Sequence, residues 1–225
     1  MRALFFGSIG SIIESSEVQR EAFNRAFAEN GLDWRWSRAE YQQMLVVSGG
    51  RRRISEEAKR REQIVDAEQL HQCKTRIFQS MMREGTAEPR PGVVESIAFA
   101  KQHGLFVGVV TSTSSENVNS IFAAMHGRLK RDQFDVIVDI DDCKDSKPAP
   151  DCYRVAMDRL GVSEDECVAI EDNADGVTAA KNAGVLCIAT PGLNTIDHDY
   201  SQADEVSHDL HTSVRRALFP SVVAV

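Results

Sequence analysis

Short apolar runs recur along the chain at Arg2 to Phe6, Leu105 to Val110, Phe134 to Ile140, Cys167 to Ile170 and Val185 to Ala189. Each is rich in Val, Ile, Leu or Phe and bounded by polar or turn-forming residues, the pattern of a strand buried on both faces. Between the later runs the period lengthens. Val118, Ile121, Phe122 and Met125 recur at i, i+3, i+4, i+7, as do Tyr153, Ala156, Met157 and Leu160, so these stretches are predicted amphipathic helices. Gly104, Gly161 and Gly184 each stand where such a helix should stop. Strand and helix alternating in this way predict an α/β fold, with a Rossmann-like parallel sheet covered on both faces. From about Glu17 to Glu84 the pattern carries no strand. Apolar positions at Val18, Ala22, Phe23, Ala26 and Phe27, at Tyr41, Met44 and Leu45, and at Leu70, Cys73, Ile77 and Met81 predict helices instead. A helical module is thus inserted after the first strand, and the loop-forming stretch Gly85 to Gly92, with Pro89 and Pro91, supplies the return. The expected division is an α/β core over residues 1–14 and 88–225 and an α-helical cap over 15–87.

Composition adds exclusions. The chain has 225 residues, 42% hydrophobic and 27% charged, an ordinary globular balance. Asp and Glu outnumber Lys and Arg by 34 to 26, for a net charge of −8. That surface repels phosphate backbones, so no nucleic-acid partner is expected. No apolar run approaches bilayer length, and Phe6 is followed at once by Gly7-Ser8, so neither a membrane span nor a leader develops. Cys73, Cys143, Cys152, Cys167 and Cys187 form no CxxC pair and are expected as free thiols, which places the chain in the cytoplasm.

Ligands of an open parallel sheet bind beyond the carboxyl ends of its strands. Thr111 and Ser112 lie there, ahead of a helix whose N-terminus would cradle phosphate, although taken alone Ser114 or Ser115 as a simple cap is the plainer reading of the stretch. Lys147 offers a point charge for phosphate, or is a solvated side chain. Glu171 and Asp172 end a buried strand, as Mg²⁺ ligands or as an acidic pair at a helix N-terminus. Together they form a set suited to phosphoryl chemistry.

These residues resemble the haloacid dehalogenase superfamily, in the branch of β-phosphoglucomutase, phosphoglycolate phosphatase and the CbbY-type phosphatases. The family's second motif matches Val107 to Thr111, its third matches Lys147 to Tyr153, and its fourth matches Glu171 to Gly184. The resemblance implies phosphate binding by Thr111, Ser112 and Lys147, metal binding by Asp172 and Glu171, and a helical cap that chooses a small phosphorylated sugar or related anion. Ser48, Gly49, Gly50, Arg51, Arg52 and Arg53 resemble the cap segment that grips the unreacting end of the substrate, with Arg52 standing where that pattern has an acidic residue. The solvated start of a helix is the plainer reading of the same stretch.

The first motif departs from the family. In register, Gly7 stands where the family has its nucleophilic aspartate and Ile9 where it has its acid/base aspartate. An aspartyl-phosphate needs a carboxylate nucleophile. Ser8 should point to the opposite face of the strand from residue 7, and Ser11 lies further on. A pseudoenzyme is therefore expected, with Mg²⁺ weakened and an anion still held. Two other readings stay open: a working hydrolase with metal-activated water at Glu171 and Asp172, and a nucleotide-binding module built on Gly7 to Gly10.

Overall fold

The computed structural model describes residues 1–7, 9–47 and 49–219. Ser8 and Ser48, both weighed above, lie outside the described residues. The sheet is parallel throughout, in the order β3-β2-β1-β4-β5-β6. Its strands are β1 (Ala3–Phe6), β2 (Phe106–Val110), β3 (Val136–Val138), β4 (Cys167–Glu171), β5 (Leu186–Ala189) and β6 (Glu205–Val206). Alternation along β1 assigns the two faces. Leu4 and Phe6 join Val107, Val109, Val168 and Ile170 in one core, while Ala3 and Phe5 join Val110, Ala169 and Cys187 in the other.

The strand expected over Phe134 to Ile140 is a correction, since β3 keeps only its central three residues. Phe134 caps a 3₁₀ turn over Arg131–Gln133, and Ile140 opens another over Ile140–Asp142. Asp139 closes the strand locally, its carboxylate accepting from the Asp141 N–H at 3.0 Å.

One helical turn, α1 (Ile9–Ile12), follows β1. Then come α2 (Ser16–Glu29), α3 (Arg38–Leu45), α4 (Gly50–Arg60) and α5 (Ala67–Glu84) without an intervening strand, as the pattern predicts. The insert has its own aromatic core. Phe23, Phe27, Trp34, Trp36 and Tyr41 pack with Ile54 and Leu70, and Trp36 stacks on Tyr41 at a centroid distance of 6.1 Å. The other sides of α2 and α5 reach the main core through Ala22, Ala26, Ile77, Phe78 and Met82. Where the chain returns, Ile13 bridges Pro89, and the Arg90 guanidinium donates to the carbonyls of Gly10 and Thr190 at 2.8 Å and of Pro191 at 2.7 Å.

The sheet is then covered by α6 (Val93–Gln102), α7 (Ser115–Ala124), α8 (Asp151–Leu160), α9 (Ala174–Asn182) and α10 (Leu210–Leu218). The glycines expected as helix stops take left-handed backbone; Gly161, at φ +63°, is the cap residue of α8. No described helix is long and apolar enough to cross a membrane.

A second correction concerns the cysteines. Cys143 and Cys152 are joined by a disulfide, their Cα atoms 5.3 Å apart. The loop after β3 turns back onto α8, bringing together two cysteines that sequence spacing alone left unpaired. Cys73, Cys167 and Cys187 are free, and burial pushes the Cys167 thiol up to about 12.

Candidate functional site

Four strand ends meet at the carboxyl edge of the sheet. Thr111 closes β2 and is buried, its Oγ1 accepting from the Thr113 N–H at 3.2 Å. Ser112 is exposed, and its hydroxyl accepts from the Lys147 backbone N–H at 3.2 Å. The turn and the lysine loop are thus pinned together. Ser114 occupies the cap position of α7 without a side-chain cap bond.

Lys147 is buried, and an ammonium has three protons to donate. Its Nζ donates to the carbonyls of Gly7 and, at 2.8 Å, Val110, and at 2.6 Å to Oε1 of Glu171. All three donors are spent within the chain. Glu171 is fully buried, and its Oε1 also accepts from the Tyr153 hydroxyl at 2.7 Å. Burial pushes the Glu171 carboxyl above its usual range, and the Lys147 ammonium opposes that shift. Burial and the neighbouring Glu171 carboxyl push the Tyr153 phenol well up, so it serves as a donor.

The space beside Gly7 is filled. A Cβ built on Gly7 would run into the Tyr153 hydroxyl and the Glu171 carboxylate. Ile9 is buried in the main core. Asp172 is half-buried beside Gly10, where a Cβ would meet its carboxylate. Its Oδ1 accepts from Asn173 Nδ2 at 2.9 Å, and its backbone carbonyl accepts from Thr195 Oγ1 and the Tyr200 hydroxyl, both at 2.6 Å.

The Glu171 carboxylate, as it is held here, does not fit Mg²⁺, which demands close octahedral oxygens. The ammonium of Lys147 already supplies the positive charge beside Glu171, and a cation there would face it at close range. The remaining oxygen, Oε2, is buried without a partner, but it is turned towards Gly176 in the first turn of α9. Among the described residues no group of three or more His, Cys, Asp or Glu is placed to hold a metal.

The insert carries a second cluster. Arg53 is buried, its guanidinium 5.9 Å from the Phe23 ring centroid and 5.8 Å from that of Tyr41. Nη1 donates to the Val47 carbonyl at 3.2 Å, while Nε is buried without a partner. Lys74, on α5, is buried 4.8 Å from the Phe23 centroid and donates to Gln19 Oε1. No carboxylate of the described residues pairs with Arg53 or Lys74. Burial, then the charge of Arg53, pulls the Lys74 amine down to about 7; burial, then Lys74, pulls His71 down to about 4.

Gly50 sits against this group, since a Cβ there would lie 2.6 Å from His71 Nε2, and Gly49, at φ +115°, allows the tight entry into α4. Arg51 does not join them. It is exposed and pairs with Glu68 at 2.8 Å. Arg52 pairs with Glu56 at 2.5 Å.

Lys74 and His71 were not among the residues expected to bind. The available signal was a lysine at an apolar-face position of α5, in the series Leu70, Lys74, Ile77, Phe78. Hydrogen bonds join the insert to the carboxyl edge of the sheet. Gln79 on α5 donates to Asn117 Oδ1 at 3.0 Å, Asn117 donates to Thr113 Oγ1 at 2.8 Å, and Thr113 N–H donates to Thr111. Opposite, Arg38 donates to Asn194 at 3.0 Å, and Asn194 donates to Ser16 and Glu17 at 3.0 and 2.6 Å.

The sequence pattern of the haloacid dehalogenase-like hydrolases matches residues 1–184. The chain belongs to that family. It is 38% identical to Protein CbbY of Cereibacter sphaeroides over 212 residues, covering 92% of this chain and 91% of that protein. The crystal structure of CbbY from Rhodobacter sphaeroides in complex with phosphate superposes with a TM-score of 0.85 at 37% identity, covering 94% of this chain and 95% of that one. A mutant of the same protein, in complex with xylulose-(1,5)bisphosphate, gives 0.84 at 38% with the same coverage. In this chain Lys147 is bound to Glu171 across the space where Gly7 has no side chain.

Proposed function

We propose that this chain binds a small phosphorylated sugar or related anion between its α/β core and its helical insert, residues 15–87 serving as the cap, and that ordinary aspartyl-phosphate turnover is lost. The observation that carries this reading is the pair Arg53 and Lys74, two buried cations with no carboxylate partner among the described residues. Buried charges are costly unless paired. An anionic group arriving between them supplies the missing charge, and Arg53 Nε supplies an unused donor. The likeness to CbbY structures holding phosphate and xylulose-(1,5)bisphosphate supports a phosphorylated sugar as the class. Thr111, Ser112 and Lys147 are proposed to receive the other end of the ligand once Lys147 is released from Glu171.

Magnesium is not required for this binding. A water activated by metal at Glu171 and Asp172 is disfavoured, because the Lys147 ammonium stands 2.6 Å from the carboxylate such a metal would use. Titration calorimetry with xylulose-1,5-bisphosphate tests the proposal. Heat of binding is expected with and without Mg²⁺, and no heat in either case overturns it.

Lys74→Met separates a ligand-binding lysine from a structural one. Below pH 7, where Lys74 is charged, removing this unpaired buried charge is expected to raise the Tm of the free protein by a few degrees, at about 2–4 °C per kcal/mol. The same change should weaken bisphosphate binding by roughly 10- to 100-fold, the worth of a charge-assisted hydrogen bond. The sign with pH follows from an amine that titrates at about 7 in the free protein. Above that pH, binding must first protonate Lys74, so wild-type affinity should fall as pH rises from 7 to 9 and stay flat in Lys74→Met. A lower Tm with unchanged affinity in Lys74→Met would refute this role.

A further inference from the structure

The disulfide and the lysine of the core site belong to one loop. Cys143 follows the turn after β3, Cys152 lies on α8, and Lys147 sits between them. Tyr153, the residue after Cys152, is the other donor to Glu171. Of the two groups that hold the Glu171 carboxylate in the space beside Gly7, Lys147 therefore lies inside the segment the disulfide closes and Tyr153 adjoins its end. We propose that the Cys143–Cys152 disulfide is a redox lock on the anion site: oxidised, it keeps Lys147 spent on Glu171; reduced, it frees the lysine for an anion.

The exchange involves a dithiol reductant, which a protein of the thioredoxin type or dithiothreitol supplies. One thiolate attacks Sγ of Cys143, the half-buried member, while Cys152 is fully buried. The S–S bond breaks, a mixed disulfide forms, and Cys152 leaves as a thiolate that takes up a proton. The second thiol of the reductant then displaces Cys143 and closes its own disulfide. Two electrons and two protons pass to the protein, and the reductant is oxidised by the same two electrons. Opening the link returns conformational freedom to residues 144–146, which are already exposed and lead straight into Lys147.

Lys147 has every donor satisfied internally in the oxidised form, to Gly7, Val110 and Glu171. An anion gains nothing from that ammonium until at least one bond is given up. The lock thus acts on the donor itself. It rests on the anion reading above for its consequence, although not for its chemistry.

The experiment compares air-oxidised protein, protein reduced with dithiothreitol, and Cys143→Ser, which cannot form the bond. Thiols titrated after unfolding in the absence of reductant should number three in the oxidised protein, Cys73, Cys167 and Cys187, and five after reduction. Five before reduction overturns the inference. Brief acetylation with acetic anhydride, read by peptide mass spectrometry against exposed Lys144, reports Lys147 directly. Its labelling should rise about tenfold in reduced protein and in Cys143→Ser, and added dithiothreitol should not change the variant. Equal labelling in all three overturns the lock whatever the protein binds. Inorganic phosphate, followed by calorimetry, should bind about tenfold tighter to the reduced form and to Cys143→Ser. Increased labelling with no phosphate bound in any state leaves the lock standing and removes the anion reading.

Discussion

Phosphate release from phosphorylated sugars and from p-nitrophenyl phosphate is expected to be on the order of 10⁶ slower than for Protein CbbY of Cereibacter sphaeroides assayed beside it, the usual cost of deleting a nucleophile. Gly7 offers no side chain, and Ile9 is packed in the core where it has no proton to give. A rate within about a hundredfold of that CbbY would sink the pseudoenzyme reading. Restoring the two aspartates, Gly7→Asp with Ile9→Asp, is not a simple rescue. The new carboxylate at residue 7 has to share space with the Glu171 carboxylate and the Tyr153 hydroxyl. Two carboxylates at that distance repel and favour a bound cation. Mg²⁺ is therefore expected to raise the Tm of the double variant and leave the wild type unmoved, with any phosphatase activity of the variant confined to Mg²⁺-containing buffer. A double variant indifferent to Mg²⁺ would show that Glu171 keeps its place.

Lys147→Met is expected to cost roughly 3–5 kcal/mol at pH 8, because it strands the Glu171 carboxyl in a fully buried position. At about 2–4 °C per kcal/mol, the Tm falls by about 10 °C. The pH sign follows from Glu171, whose carboxyl is raised by burial and lowered by Lys147. Without the ammonium its folded-state pKa rises further. A raised carboxyl contributes stability below its unfolded value of 4.5 and loses it as pH climbs through the folded one. The gap in Tm between wild type and variant should accordingly be small near pH 4.5 and widen towards pH 8. Thermal melts across that range check it. A gap that is constant with pH would mean the lysine matters by packing alone.

Much of this architecture was readable in advance because local signals agreed. The apolar runs gave five of the six strands, β6 (Glu205–Val206) being two residues with no apolar run, and the absence of any strand pattern from Glu17 to Glu84 gave the helical insert. β3 was overextended because Phe134 and Ile140 are apolar yet belong to 3₁₀ turns on either side of it. Lys147 and Glu171 stood out in the sequence by their places at strand ends, but their union was one of several outcomes. It depends on the close approach of β4 to Gly7, a property of three dimensions. The disulfide was missed for the same reason, since Cys143 and Cys152 lie on different elements and the total of five gave no pairing. Lys74 was missed because its charge argues for solvent, while its position on the apolar face of α5 argues for burial.

Both tryptophans of the chain, Trp34 and Trp36, belong to the aromatic core of the insert, and the sheet has none. Trp36 stacks on Tyr41, the ring that also faces Arg53. The protein's tryptophan emission, excited selectively over tyrosine, thus comes from one half of the molecule, a built-in optical label beside the cations. Stopped-flow recordings can follow ligand arrival at the insert in real time, with no dye attached and no background from the sheet.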